Sequence, residues 1–297
     1  MSYYVDLATL FCIALIAVVG VFALTGLTGL FSFGQGGFMS LGAYAAVLSN
    51  MRLGLPFPLA LLFGVIVAAA ASYVIGIPAL RLRRDFFALA TFGFGEAVTA
   101  LFQMFTQVTG GTMGLPGIPQ YTTFWLALAG AIVAIYLVAN LKRSKLGRQS
   151  IAIRNDELAA QALGIDAYHH KMSIFVISAA LAGFAGGLQG FFINYMDPRI
   201  FDWTTSVEQV ITVYFGGINS LTGSVISTLL LSSLPEALRF ASMWRVVIYS
   251  ALIILIMNLR PQGLMGDWEF SLAWARRIIR RKSEGPNTSH QAIEETH

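Results

Sequence analysis

Long apolar runs separated by short polar intervals fill most of the chain. Most of these runs hold about 20 residues, the length with which an α-helix crosses a hydrocarbon core of roughly 30 Å. The apolar residues are continuous and do not alternate with polar ones, which favours helices over a β-barrel. The pattern therefore predicts an all-α, polytopic integral membrane bundle of about eight or nine transmembrane helices. The nine runs lie at about 7–28, 36–50, 57–79, 86–105, 122–141, 172–193, 200–218, 221–238 and 244–259.

Two of the runs differ from an ordinary membrane crossing. The run 36–50 would reach only about 22 Å as an α-helix, and the run 200–218 carries Asp202 and Glu208 and ends in a glycine pair. Short, glycine-interrupted segments are typical of broken or re-entrant helices, since irregular backbone at membrane depth is tolerated only inside protein or beside a water-filled cavity. Both runs are therefore open to a broken or re-entrant interpretation.

The segment GQGGFMSLGAY at 34–44 allows two interpretations. Gly34, Gln35, Gly36 and Gly37 can line a translocation path, because they interrupt the apolar pattern at membrane depth. Alternatively, Gly34, Gly37 and Gly42 provide small residues for close helix packing. The sequence does not decide between these two roles.

Composition and charge agree with a membrane protein. Of 297 residues, 56% are hydrophobic and 11% are charged, with a mean hydropathy of +0.70. The net charge of +4 comes from basic residues at the ends of the runs and in the C-terminal tail, which is the distribution that membrane topology predicts. These residues do not form the stripe of positive charge that binds nucleic acid. Placing 81–85 and 142–171 inside the cell puts the uncharged 109–120 and the N-terminus outside. Fifteen basic residues then lie inside, against four outside: Arg52, Arg199, Arg239 and Arg245.

The chain is predicted to form a single transmembrane domain over residues 1–282, interrupted by the polar interval at about 142–171. Residues 283–297, SEGPNTSHQAIEETH, are polar and are predicted to form a disordered cytoplasmic tail, which places the C-terminus inside the cell.

Residues for catalysis or cofactor binding are not recognisable in the sequence. It has no phosphate-binding loop, no HExxH motif and one cysteine, so no enzymatic activity, metal site or cofactor of its own is expected. Glu96 and Glu208 stand out instead, because a charged residue inside the bilayer costs about 2.5 kcal/mol or more. Either carboxylate can contact a substrate ammonium or carry protons, or it can be a hydrogen-bonded structural group.

The stretch AIRNDELAAQALGID at 152–166 is an amphipathic segment in the longest polar interval. Asn155 or Asp156 can cap a helix over 157–164, about 12 Å long and too short to span a membrane. At 100° per residue, this helix is predicted to rest one face on the membrane domain and to offer the other, small and polar, to a soluble partner. The first face holds Leu158, Ala162 and Ile165; the second holds Glu157, Ala160, Gln161 and Gly164.

Glu157, Ala159, Ala160 and Gly164 resemble the EAA-x3-G signature that permeases of ABC importers present to their ATPase subunits, with Leu158 inserted after the glutamate. Most of the chain is similar to the M-type permease subunits of branched-chain amino acid importers. The blocks that carry the resemblance are GLTGLFSFGQGGFMSLGAYAA, LRLRRDFFALATFGFGE, TGGTMGLPGIP, FVISAALAGFAGG, VYFGGINSLTGSVIS and RPQGLMG.

The resemblance implies a permease subunit in the inner membrane of a bacterium, importing Leu, Ile and Val. Its implied partners are two cytoplasmic ATP-binding subunits, a second paralogous permease subunit and a periplasmic substrate-binding protein, with ATP used by the partners. The four signature residues would couple the chain to the ATPases. Related permeases move urea, short amides or other amino acids, so these substrates remain alternatives. An ion-coupled secondary transporter using Glu96 and Glu208 is a further alternative.

Overall fold

A computed structural model shows the chain as a bundle of helices. It describes residues 2–237, 247–248, 250–251, 253–254, 258 and 263–266. Within these residues the helices are α1 Ser2–Thr28, α2 Gln35–Leu53, α3 Phe57–Ala79, α4 Arg84–Met104, α5 Thr106–Thr109, α6 Phe124–Arg143, α7 Lys145–Asn155, α8 Glu157–Ala162, α9 Ala167–Gly190, α10 Trp203–Gly216 and α11 Leu221–Ala237.

The predicted helical membrane fold is confirmed. Five helices of the described residues are long and apolar enough to cross a membrane. They correspond to five of the predicted runs, because about 20 apolar residues can satisfy their backbone groups in lipid only as a helix. These five are Tyr3–Thr28, Phe57–Ala79, Arg84–Met104, Phe124–Arg143 and Ala167–Gly190. The predicted run 244–259 lies mostly, and the tail 283–297 entirely, outside the described residues.

The run predicted at 36–50 is longer in the structure than in the pattern. Helix α2 has 19 residues, which corresponds to about 28 Å. A non-helical break at 29–34 separates it from α1. The break begins at Gly29, whose φ of 69° lies in the left-handed region that glycine adopts without strain. The chain can therefore end one helix and start the next within a few residues.

The run predicted at 200–218 does not form one long helix. It divides into a 3-10 turn at Pro198–Phe201 and the 14-residue helix α10, which is about 21 Å long and shorter than the hydrocarbon core. Helix α11 returns antiparallel to α10, since the Ser227 hydroxyl donates to the Thr212 carbonyl at 2.7 Å. At the turn between the two helices, Gly216 and Gly223 are in backbone contact.

Helix α9 lies at the centre of the bundle, packed against α1, α2 and α3. The approach is close because glycines meet there. A Cβ on Gly42 of α2 would lie 2.4 Å from the Cα of Gly183 in α9, and a Cβ on Gly64 of α3 would lie 2.4 Å from the Gly42 carbonyl oxygen. Small residues let the backbones of these helices touch, which is how membrane helices gain packing energy.

The bundle has two distinct ends. At one, which we call the strand end, residues 115–116 pair antiparallel with residues 195–196. At the other, the loop end, lie α7, α8 and the turn between α10 and α11, where the Lys142 ammonium donates to the Asn219 carbonyl. Helix α6 runs between the two ends. The predicted outer segment 109–120 and the predicted inner segment 142–171 are therefore on opposite ends of the molecule.

Candidate functional site

Three helices that begin at the loop end, α7, α8 and α9, each have a side-chain cap. Ser144 accepts a hydrogen bond from the Gly147 amide at 3.2 Å, Asp156 from the Ala159 amide at 3.0 Å, and Asp166 from the His169 amide at 3.1 Å. Each cap satisfies a backbone N–H that the first helical turn leaves open. Of the two caps predicted for the 157–164 helix, Asp156 is the one that forms. The helix is shorter than predicted and ends at Ala162.

The predicted faces of α8 are right in part and wrong in part. Gln161 and Gly164 are exposed and Ile165 packs inward, as predicted. Ala160, predicted to face a partner, is 3% exposed and packs with Ile153 of α7 and Ala167 of α9. Leu158, predicted to lie on the membrane domain, is 79% exposed. The physical reason is that α7 and α9 both contact α8 from the Ala160 side, so that side is buried although its residues are small.

An ion pair holds α8 in this rotation. The Lys171 ammonium lies 2.7 Å from the Glu157 carboxylate, and the lysine side chain is only 11% exposed against 39% for the glutamate. The Glu157 carboxylate therefore points toward α9, while part of its side chain stays exposed. Because the lysine is desolvated, the pair is screened less than an exposed one.

Turning Glu157 and Ala160 inward leaves an apolar surface outward on α8. Leu158 is 79% exposed and Leu163 is 82% exposed, and Ala159 and Ala162 beside them are also exposed. We call these four residues the α8 patch. Gly164 follows with a φ of 78°, in the left-handed region that glycine adopts without strain, and a Cβ added to it would meet nothing within 4 Å.

Asp166 and the two histidines close the loop end. The Asp166 pKa lies below its usual range because its carboxylate accepts a hydrogen bond from the His169 backbone and another from the His169 ring at 2.6 Å. His170 contacts Gln149 at 2.9 Å through its second ring nitrogen. The structure shows no group of three or more His, Cys, Asp or Glu able to hold a metal ion within the residues it describes.

Arg154 ties the loop end to the break between α1 and α2. Its guanidinium donates to the Gly26 carbonyl near the end of α1, and its aliphatic stem packs over Gly29. The Arg154 carbonyl in turn accepts a hydrogen bond from Arg84 of α4 at 3.0 Å. Sequence reasoning counted Arg154 only as one of the basic residues inside the cell. The left-handed Gly29 that makes room for its stem has no signal in the sequence beyond its being glycine.

The glycine segment predicted for a translocation path lies in tight packing contacts. A Cβ on Gly34 would be 2.5 Å from the Thr91 carbonyl oxygen, and one on Gly37 would be 2.9 Å from the Cα of Gly95. The Gly36 amide donates to the Ser206 hydroxyl of α10 at 2.8 Å. These contacts fit the packing role, and a role in transport stays a prediction.

Gln35 is fully buried at the start of α2. Its amide nitrogen donates to the Ser178 hydroxyl of α9 at 2.9 Å, and Ser178 donates onward to the Gly20 carbonyl of α1 at 2.7 Å. The other amide atom, Oε1, is buried and has no hydrogen-bond partner among the described residues. Gln35 therefore links three helices and keeps one acceptor uncommitted.

The two intramembrane glutamates lie on different helices. Glu96 is half-buried on α4, and its buried Oε1 has no partner in the described part of the chain. Glu208 lies on α10 and lines a partly open cavity of about 230 Å³ between α1, α2, α9, α10 and α11. Met39, one turn after Gly36, lines the same cavity and accepts from Gln209 at 3.1 Å. Glu96 is not among the lining residues, so the structure brings Glu208 and α2 together but leaves Glu96 apart.

These features define a class: a polytopic helical membrane protein with a cavity of mixed polar and apolar lining between its helices and a capped helical loop at one end. Residues 3–257 match the model of the family described as "Branched-chain amino acid transport system / permease component". The chain belongs to this family.

Several curated relatives agree with this assignment. The high-affinity branched-chain amino acid transport system permease protein LivM of Escherichia coli is 34% identical, over 88% of this chain and 69% of the relative. Its counterpart in Salmonella typhimurium is 33% identical over the same shares. The LivH permease of Escherichia coli is 31% identical, over 48% of this chain and 46% of the relative. The chain is thus similar to LivM proteins along most of its length and to LivH along about half.

Proposed function

We propose that this chain is a permease subunit of an ATP-driven ABC importer for Leu, Ile and Val, coupled to its ATPases through α8. The observation that carries the proposal is the similarity to permeases named for branched-chain amino acid transport along 88% of the chain. The chain supplies the membrane path and the energy comes from ATP hydrolysed by partner subunits, so it needs no cofactor of its own.

The α8 patch is the proposed contact with an ATPase subunit. Two leucines exposed to water on a capped helix at the loop end gain free energy when a partner covers them, at about 25 cal/mol per Å² of apolar surface. The small residues Ala159 and Ala162 let a partner approach closely. This differs from the predicted coupling surface, because Glu157 and Ala160 now support the patch from inside and Ala159 and Gly164 remain accessible.

The remaining parts of the proposed assembly follow from the same family. We infer two cytoplasmic ATP-binding subunits at the loop end, a second paralogous permease beside the bundle, and a periplasmic binding protein at the strand end. Residues 1–282 would form one permease domain in the bacterial inner membrane. Residues 263–266 support a cytoplasmic C-terminus, since the Leu264 amide donates to the Phe215 carbonyl at 2.8 Å at the loop end.

Substrates other than Leu, Ile and Val remain the second choice, because urea, short amides and other amino acids are moved by similar permeases. An ion-coupled transporter using Glu96 and Glu208 as proton or cation sites is disfavoured by their positions on α4 and α10, with only Glu208 at the cavity.

The test is co-purification of the tagged chain from its native membrane, comparing wild type with Leu158→Ser/Leu163→Ser. Leu53→Ser is the matched control, since Leu53 is 70% exposed but lies on α2 near the strand end. We expect ATPase subunits to accompany the wild type and the control, and to drop at least about tenfold with the double variant, since losing two buried leucine contacts costs about 1.4 kcal/mol or more. A chain that purifies alone, or a double variant that keeps its ATPases, contradicts the proposal.

A further inference from the structure

We propose that the cavity around Glu208 and Gln209 is a binding site for the zwitterion of an α-amino acid with a small branched apolar side chain. This inference rests on the proposed function and adds to it the place where the substrate is held. The cavity of about 230 Å³ is below the roughly 300–1,000 Å³ typical of sites for drug-sized ligands. It therefore suits a molecule of amino-acid size.

One part of the lining offers hydrogen-bond acceptors. Gln209 is only 7% exposed, and its Oε1 is buried with no partner among the described residues. Its amide nitrogen is 3.1 Å from the Met39 sulfur. A thioether sulfur accepts hydrogen bonds but does not donate them, so the Gln209 amide nitrogen, and not its oxygen, faces the Met39 sulfur. The Gln209 Oε1 is therefore left to accept a hydrogen bond from another group. The Glu208 carboxyl group is the neighbouring acceptor, and in its ionised form it offers a negative charge to a cation.

The hydroxyl groups nearby reinforce this acceptor character. Thr212 donates its proton to the Glu208 carbonyl at 2.7 Å, and Thr228 donates to the Ser224 carbonyl at 2.7 Å. With their protons used in this way, both oxygens present lone pairs to the cavity. An α-ammonium group brings three N–H donors and a positive charge, which matches this side of the cavity.

Two other lining residues offer donors. Gln189 of α9 carries an amide NH₂ group and Ser232 of α11 carries a hydroxyl group, and both line the cavity. These groups suit an α-carboxylate, which accepts hydrogen bonds only. Binding both charged groups of a zwitterion offsets the large free energy of taking them out of water.

The remaining wall is apolar and belongs to α1. Leu10, Ala14 and Val18 repeat every four residues and share one face of the helix, with Ile13 beside them. These α1 side chains are all apolar, so they suit the aliphatic side chain of the amino acid. The three kinds of lining thus correspond to the three parts of a branched-chain amino acid.

The direct test uses the assembled transporter in proteoliposomes and a diazirine analogue of leucine as the photoreactive probe. We expect labelling on the α1 peptide containing Leu10 and Val18, and its loss when unlabelled leucine is in excess. The Glu208→Gln variant should label about tenfold less per assembled complex, because the glutamine oxygen still accepts a hydrogen bond but no longer carries the negative charge that strengthens it. Normalising to assembled complex removes the effect of any loss of folding.

The second test uses the size of the cavity. Ala14→Leu should slow maximal ATP-dependent uptake of leucine at saturating binding protein at least several-fold more than uptake of the smaller valine. The control is Ala129→Leu on the exposed face of α6, which adds the same volume outside the cavity and should leave the ratio unchanged.

The outcomes separate the two proposals. If wild-type complex takes up leucine but the probe labels other helices, or labelling is not displaced by leucine, the site inference is overturned while the importer function stands. If Ala14→Leu leaves the ratio of leucine to valine uptake unchanged, the site inference is likewise contradicted. If wild-type complex with its partners takes up no branched-chain amino acid, both the function and the site inference fail.

Discussion

Replacing Gly42 by alanine is expected to destabilise the centre of the bundle. The new Cβ would lie 2.4 Å from both the Cα and the carbonyl oxygen of Gly183. Carbon atoms in contact prefer about 3.5 to 4.0 Å, so α2 and α9 would have to separate by roughly 1 Å. Both colliding atoms are backbone, and no side chain can rotate away to relieve the contact.

The expected cost follows from overpacking. Inserting a methyl group into a close-packed core typically costs about 1 to 3 kcal/mol, and more where the backbone must move, while alanine regains up to about 1 kcal/mol of helix propensity. A matched control cancels the propensity gain. Gly93 lies within helix α4, and a Cβ added to it would meet nothing within 4 Å, so Gly93→Ala carries the same gain without the collision.

The assay is the thermal transition of the detergent-purified chain. We expect Gly42→Ala to melt roughly 2 to 8 °C below wild type, and Gly93→Ala to melt at or slightly above it. Equal transitions for the two variants would refute the reasoning, since they would show that the Gly42 and Gly183 backbones are not in contact.

Two further predictions concern the loop end. Arg154→Ala should leave ATPase co-purification intact and reduce ATP-dependent uptake several-fold more than ATP hydrolysis. The reason is that the α8 patch stays exposed, while the hydrogen bond from Arg154 of α7 to Gly26 of α1 is lost. A parallel fall of both rates would contradict this prediction. Because the pKa of Asp166 is lowered below the ordinary 3.8, the stability from its cap is present above pH 3.8 and is lost as the pH falls through the folded-state pKa. Asp166→Ala should therefore speed amide hydrogen exchange at His169 near neutral pH and make no difference in strong acid; an equal effect at both pH values would argue against the cap.

The membrane fold was predictable because it follows from composition along the chain. A run such as 57–79 is apolar throughout, and in lipid a helix is the structure that pairs its own backbone groups. Helix α3 accordingly spans Phe57–Ala79. The run 200–218 was open to a broken interpretation, and it divides because Pro198 begins a separate turn and Asp202 caps α10 through the Thr204 amide at 3.0 Å.

The details of the sites depend on neighbours that periodicity does not describe. Leu158 and Ala160 were assigned to the wrong faces of α8 because six residues make fewer than two turns, and the buried side is decided by α7 and α9. The pairing of Glu157 with Lys171 joins residues 14 apart in sequence, and no pattern indicates it. Likewise, Glu96 and Glu208 look alike in the sequence, while the cavity lies beside Glu208 only.

The α8 patch also affects the amount of this permease that can accumulate in a cell. In the proposed assembly, Leu158 and Leu163 expose an apolar surface to the cytosol until an ATPase subunit covers it. Unassembled proteins aggregate or are recognised by proteases through surfaces of this kind. A surplus of permease is therefore a burden, and we expect its accumulation to follow the supply of ATPase subunits. Production of the two in balanced amounts, for example from one transcript, would keep the leucines covered.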